Sequence, residues 1–133
     1  MFVVIDLESE IPIYQQIRDR VIEGIADGAL RPGSVLPSTR QLAADFGVNF
    51  HTVNKAYDLL RQEGVVRVNR KQGAVVNPES PPSSDFLTSW EARLRTLLAE
   101  AFVHGTPVPA ILARCAAALA TFKAPGSPPE EVG

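Results

Sequence analysis

The chain has 133 residues, 45% of them hydrophobic, and a formal charge of −2 at pH 7. That length suits one ordinary domain, or a small domain with an appendage, and the sequence holds no uninterrupted apolar run of about 18 residues that would span a bilayer. The start, MFVVIDLESE, has no basic leader and turns acidic at once, so a secretory signal is not expected. Cys115 is the single cysteine, which excludes an internal disulfide and lacks the companions of a metal cluster. These features imply a cytoplasmic protein with no membrane association, no metal and no cofactor. The charge is unevenly spread: residues 1–30 carry two basic and six acidic side chains, residues 31–77 seven and three, and residues 78–133 four and six. Only the middle is net positive, and a nucleic-acid partner needs a local basic surface rather than a basic chain.

In chain order, FVVID reads as a short extended segment or arm. Pro12 then suits a first helical turn, and Ile13, Ile17, Val21 and Ile25, with Tyr14 and Ile22 beside them, predict one amphipathic helix over about 12–27. Gly28 is a plausible terminator, and Pro32, Gly33 and Pro37 keep the next segment irregular. Val35 and Leu36 make either a very short strand or a core plug. Ser38 and Gln41 have capping-box spacing for a second helix, whose apolar side is Leu42, Ala43 and Phe46. Gly47 supplies a left-handed C-terminal position, Val48 a peg in the turn, and Asn49 the cap of a third helix. Val53, Ala56, Tyr57 and Leu60 mark the buried face of that helix, and Gly64 stops it.

VVRVNRKQGAVVN changes period. Val66 and Val68 share a strand face, Val75 belongs to a returning strand, and the polar NRKQG between them predicts a hairpin with Arg70 and Lys71 at its tip. Helix, helix, tight turn, helix and hairpin is the order of a winged helix-turn-helix domain, placed at 10–77. Residues 78–84 form a proline-rich linker. Residues 85–123 read as a helical pair, with Asp85 able to cap the first helix and Leu87, Trp90, Leu94, Leu97, Leu98 and Phe102 forming a broad apolar strip. Ile111, Leu112, Cys115, Leu119 and Phe122 describe the second helix, and 124–133 reads as a disordered tail. Two short helices make a poor independent core. They either pack on the first domain or form half of a dimer core, and the width of the strip favours dimerisation. The fold class is therefore α+β: an N-terminal winged helix-turn-helix domain followed by a short two-helix dimerisation appendage.

The third helix can enter a DNA major groove with its N-terminal end nearest the base edges. Its candidates are Phe50, His51, Thr52, Asn54 and Lys55, with Asn54 suited to adenine and Lys55 to guanine or phosphate. Arg40 projects from the start of the second helix, and Arg70 and Lys71 can follow the backbone from the hairpin. Ser38 is either a phosphate contact or an ordinary N-cap. Asp58 would repel phosphate and belongs beyond the contact zone, while Val53 and Tyr57 are scaffold. An enzyme is not expected: no phosphate-cradling glycine loop is present, and His51 and Asp58 have no third partner. His51 has no company for a metal either, since His104 lies in the appendage.

The segment PIYQQIRDRVIEGIADGALRPGSVLPSTRQLAADFGVNFHTVNKAYDLLRQEGVV closely resembles the GntR family of bacterial transcription regulators. The likeness is carried by PIYQQI, G-x-L-x-P-G, LPSxRxLA, GVN, TVxKAY and L-x-x-EG, and the short helical pair resembles the small YtrA-type branch. The resemblance implies a sequence-specific, homodimeric repressor acting on double-stranded DNA at a palindromic operator. By position, Arg40 matches the family's conserved arginine, Asn49 to Thr52 the start of the recognition helix, Asn54 a further DNA-facing position, and Gly73 the wing glycine. Thr39 stands where glutamate is usual, and Phe50 and His51 where small members often have proline and asparagine. These departures bear on the operator sequence rather than the activity. So small an appendage leaves no room for a pocket of roughly 300 Å³ in a separate effector domain, so an unidentified small-molecule effector would have to sit at the dimer interface. The acidic first helix and modest overall charge support an alternative, a winged-helix module that binds protein without reading DNA.

Overall fold

The computed structural model describes residues 4–78 and 81–123. Pro12, lacking an N–H that a helix start has no use for, takes the N-cap position of α1 (Ile13–Ala26), one residue outside the predicted first turn. The apolar stripe of α1 buries Ile17 and Val21 completely. Gln16 is buried beside them and fully employed: Nε2 donates to the carbonyls of Asp6 (2.9 Å) and Ile11 (2.8 Å), and Oε1 accepts from the Asp6 N–H (2.8 Å). One buried amide thus satisfies itself while fastening the segment ahead of the helix.

Two further helices, α2 (Thr39–Phe46) and α3 (Phe50–Gln62), follow at a tight corner, and β1 (Val66–Asn69) and β2 (Gly73–Val76) form the hairpin. The strands are antiparallel with Val66 opposite Val76 and Val68 opposite Ala74. Both readings of Val35 and Leu36 hold. Val35 makes an isolated bridge to Val75, and the Leu36 N–H donates to the Ala74 carbonyl at 2.8 Å while its side chain is buried in the core. Ile17, Val21, Leu36, Leu42, Val53, Leu60, Val66 and Val76 meet in that core. Each fully buried aliphatic side chain contributes about 1.5–3 kcal/mol relative to exposure.

Val66 and Val68 share a face of β1, as their spacing predicts. Burial falls off along that face toward the hairpin tip: Val66 is buried and Val68 is 61% exposed. At the other end of α3, Arg18 ties α1 to Glu63: Nε donates to Oε2 at 2.9 Å and the second guanidinium nitrogen to Oε1. The hydrogen bond to Glu63, ahead of the opposing effect of burial, raises the guanidinium's pKa from its ordinary value.

The chain divides into two compact units, the second spanning Ser80–Phe122. It contains α4 (Ser84–Val103) and α5 (Val108–Ala120), joined by a turn with Gly105 at a φ of 85°. Ser83, not Asp85, caps α4: its Oγ accepts from the Phe86 N–H at 3.1 Å. The cap lies two residues before the expected one, which moves Asp85 into the first turn, where its charge faces the positive end of the helix dipole. The expected disordered tail at 124–133 lies outside the described residues. This is the winged helix-turn-helix fold with a two-helix appendage. Among the described residues no helix is long and apolar enough to cross a membrane.

Tyr57 links α3 to the loop before α2, its buried hydroxyl donating to the Pro37 carbonyl at 2.6 Å. Desolvation pushes the phenol pKa well above its ordinary value of 10.0. Tyr57→Phe should cost about 1 kcal/mol near neutral pH, read as a lower urea midpoint. Because the folded-state pKa is raised, the unfolded chain loses this proton first as pH rises through about 10. The stability attached to the neutral phenol is present below that pH and declines above it. The wild-type advantage over Tyr57→Phe should therefore shrink in that alkaline window.

Candidate nucleic-acid interface

The corner between α2 and α3 is set by caps. Ser38 Oγ accepts from the Gln41 N–H at 3.0 Å, which is half of a capping box. The reciprocal half is absent, because the Gln41 side chain donates to Asp45 Oδ1 at 2.8 Å instead. Gly47 adopts a φ of 66°, a conformation that penalises any residue with a Cβ, and the Val48 N–H then reaches the Ala43 carbonyl at 3.0 Å. Phe46 and Val48 pack against the core from either side of this glycine. Asn49 starts α3, its Oδ1 accepting from the His51 N–H at 2.8 Å.

These constraints divide α3 lengthwise. Val53, Ala56, Tyr57 and Leu60 are buried, while Phe50, Thr52 and Asn54 are half-buried and His51 and Lys55 exposed. Ser38, Arg40 and Asn49 are exposed on the approach to the helix. Asn49 caps the N-terminal end of α3 and Arg40 reaches its first residue, Phe50, at an end where the helix dipole already favours an anion. Two aromatic faces hold cations at this surface. The Arg40 guanidinium carbon lies 4.8 Å from the centroid of the Phe50 ring, and the Phe50 and His51 rings are 4.2 Å apart and tilted by 32°. The Lys55 ammonium sits 4.0 Å from the centroid of Tyr14 on α1, so reaching a phosphate requires it to swing off that ring. Asp58 is paired: Arg61 donates to its Oδ1 at 2.6 Å, one turn beyond the polar face.

The wing is organised by a residue that sequence reasoning overlooked. Asn69 Oδ1 accepts from the backbone N–H groups of Lys71 (2.9 Å) and Gln72 (3.2 Å), closing the turn that exposes Arg70 and Lys71. Gly73 follows with a φ of 87°. The asparagine two residues before Lys71 is a recognisable turn signal, whereas the pairings of Arg40 with Phe50 and Lys55 with Tyr14 join separate elements and have no signature in spacing. Among the described residues, no group of three or more His, Cys, Asp or Glu side chains could hold a metal ion.

A helix whose outer face is polar, held behind a glycine corner and flanked by a basic two-stranded wing, defines the DNA-reading domain of a transcription regulator. The chain belongs to the gntR family of bacterial regulatory proteins, whose family model matches residues 13–76. It is 34% identical over 103 residues to the HTH-type transcriptional repressor YtrA of Bacillus subtilis, an alignment covering 76% of this chain and 79% of that one. It is 35% identical over 77 residues to the HTH-type transcriptional regulator Rv1152 of Mycobacterium tuberculosis, covering 58% of this chain and 64% of the relative. Among solved structures, YtrA from Sulfolobus acidocaldarius, a GntR-family transcription factor, superposes with a TM-score of 0.61 at 44% identity, covering 77% of this chain and 99% of that one. A transcriptional antiterminator from Listeria monocytogenes shares the fold, with a TM-score of 0.82 at 23% identity over 97% of this chain and 98% of that one. The chain is thus a DNA-binding transcription regulator of the YtrA-type branch, a transcription-factor family and not an enzyme family.

The α3 cap supplies a direct check of how this surface is built. Asn49→Ala should lower stability by about 1 kcal/mol, whereas Asn49→Asp, which keeps an acceptor oxygen, should remain close to wild type. Equal thermal midpoints for the alanine and aspartate variants would show that the cap does not stabilise the corner.

Proposed function

We propose that the protein is a homodimeric repressor that binds a palindromic operator through two copies of this surface. The observation that carries the dimer is the state of the second unit: neither α4 nor α5 contains a buried residue. Leu97 and Phe102 are 62% and 65% exposed, and Leu87, Trp90 and Leu98 are exposed with them. An apolar strip of that breadth needs a cover, and a second copy related by a twofold axis supplies a self-complementary one. On this reading residues 10–77 read DNA, 78–84 connect, and 85–123 assemble the dimer. Repression is supported by likeness to the Bacillus subtilis repressor YtrA.

The recognition helices would enter successive major grooves about 34 Å apart. Asn54, Thr52, His51 and the N-terminal end of α3 would face base edges. Ser38, Arg40, Lys55, Arg70 and Lys71 would hold phosphate, with Gly73 letting the wing backbone come close. No chemistry on DNA is required; occupancy alone blocks transcription. α4 and α5 leave between them an open groove of about 410 Å³, lined by Leu94, Leu97, Leu98, Ile111, Arg114 and Cys115 among others, and its apolar wall belongs to the strip that a second copy would cover.

Selection of bound DNA from a random library should return inverted repeats with half-sites one helical turn apart, and equal weak affinity for selected and scrambled DNA would sink the specific-reader proposal. Leu97→Glu combined with Phe102→Glu should shift sedimentation from dimer to monomer and remove the preference for paired over single half-sites. Replacing Arg70 and Lys71 together by alanine should weaken binding to all sequences. It should also reduce the salt dependence of log K by about two phosphate contacts.

A further inference from the structure

Arg40 and Phe50 belong to different helices, separated by the Gly47 corner, yet the guanidinium lies over the ring at 4.8 Å from its centroid. The two partners differ in freedom. Phe50 is half-buried, packed against the core and flanked at 4.2 Å by the His51 ring, so its position is fixed by α3 itself. Arg40 is exposed and makes no ion pair among the described residues, where the arginines that do are Arg18, Arg20 and Arg61. The aromatic face is therefore what holds the longer side chain.

We propose that Phe50 is a positioning residue for DNA recognition: its ring acts as a platform that sets the Arg40 guanidinium at the mouth of the recognition helix before DNA arrives. The inference rests on the DNA-reading surface proposed above and assigns Phe50 a role other than contact with a base. A guanidinium stacked through its flat face keeps its edge N–H donors free for paired hydrogen bonds to phosphate or guanine. Holding it there in the free protein also removes rotamer entropy that would otherwise be lost on binding. An aliphatic or proline side chain at this position offers no such face. The platform also explains how one residue of α3 can govern an arginine of α2 through a corner only a few residues long.

The test is a double-mutant cycle on the full chain, with affinity measured for its selected palindrome at one fixed salt concentration. An exposed cation–π pair is worth a factor of about two to five in affinity. Phe50→Met and Phe50→Leu should each weaken binding by that factor, Phe50→Tyr should keep wild-type affinity, and neither aliphatic change should matter further in an Arg40→Ala background. In the free wild-type protein the Arg40 side-chain proton resonances should be shifted upfield by the ring current, and that shift should vanish in Phe50→Met. A merely structural role would lower the melting temperature without depending on whether Arg40 is present.

An undiminished loss from Phe50→Met in the Arg40→Ala background would overturn the platform, as would Arg40 resonances with no upfield shift in the wild-type protein. Full affinity of Arg40→Ala for the palindrome would overturn both the platform and the assignment of Arg40 to the interface. Loss on Arg40→Ala with strictly additive changes at Phe50 would overturn the platform alone and leave the reading surface standing.

Discussion

The outer surface of α3 can address DNA only because its inner surface is immovable. Val53, Ala56 and Leu60 have no solvent exposure, and Tyr57 adds a hydrogen bond to the loop that leads into α2. A helix anchored along four positions on one side has a fixed rotation about its axis, so the residues between those positions have a fixed direction. The corner before it contributes the other constraint. Gly47 in the left-handed region and Asn49 at the cap determine where the axis begins, with Phe46 and Val48 packed from both sides. Polar side chains at the start of α3 need no contacts among themselves to be well placed.

Electrostatics follow the same division. A chain of net charge −2 approaches a polyanion through its one net-positive region, and within that region the acids are already engaged. Asp58 is bound by Arg61, Asp45 accepts from Gln41, and Glu63 is held by Arg18 at the far end of α3. The exposed pair of Arg61 and Asp58 adds little stability. The Arg61 guanidinium offsets the charge of Asp58 beside the polar face of α3, whereas the Gln41 amide orients Asp45 without cancelling its charge. The N-terminal end of α3 has no acidic residue in its first turn, so the helix dipole acts there without opposition.

Much of the fold was legible because it is written in local patterns. The stripe of α1, the glycine corner, the Asn49 cap and the polar hairpin tip each depend on residues a few positions apart, and each appears where spacing places it. Misjudged features depend on distances that spacing does not encode. The shared face of Val66 and Val68 follows from alternation, but how far burial extends along it does not: Val66 is buried and Val68 exposed. Ser83 outcompeted Asp85 for the cap of α4 because both are acceptable caps and only backbone geometry distinguishes them. Within α3, the buried face of Val53, Ala56, Tyr57 and Leu60 followed from the helical period, while the seats of Arg40 on Phe50 and Lys55 on Tyr14 could not. Those contacts join side chains from different helices and arise only once the corner and the core have fixed the relative positions of the elements.

The two units differ in a way that bears on how the regulator works. The first closes a core around Ile17, Leu42, Leu60 and Val76, whereas the second has two amphipathic helices and buries nothing completely. A single reading surface with a handful of phosphate contacts binds any DNA weakly and in a salt-dependent way. In the proposed homodimer, the apolar strip of α4 does more than join two copies. Once one surface is bound, the second samples its half-site at an effective concentration set by the connection, so affinity multiplies only where the spacing permits both to engage. Discrimination between operators is then shared between the bases that each α3 meets and the distance between the two helices. A modest platform effect at Phe50, repeated in both subunits, enters twice into the affinity for a palindrome and once for an isolated half-site. Preorganisation at one ring thus sharpens the preference for paired sites as well as the strength of each contact.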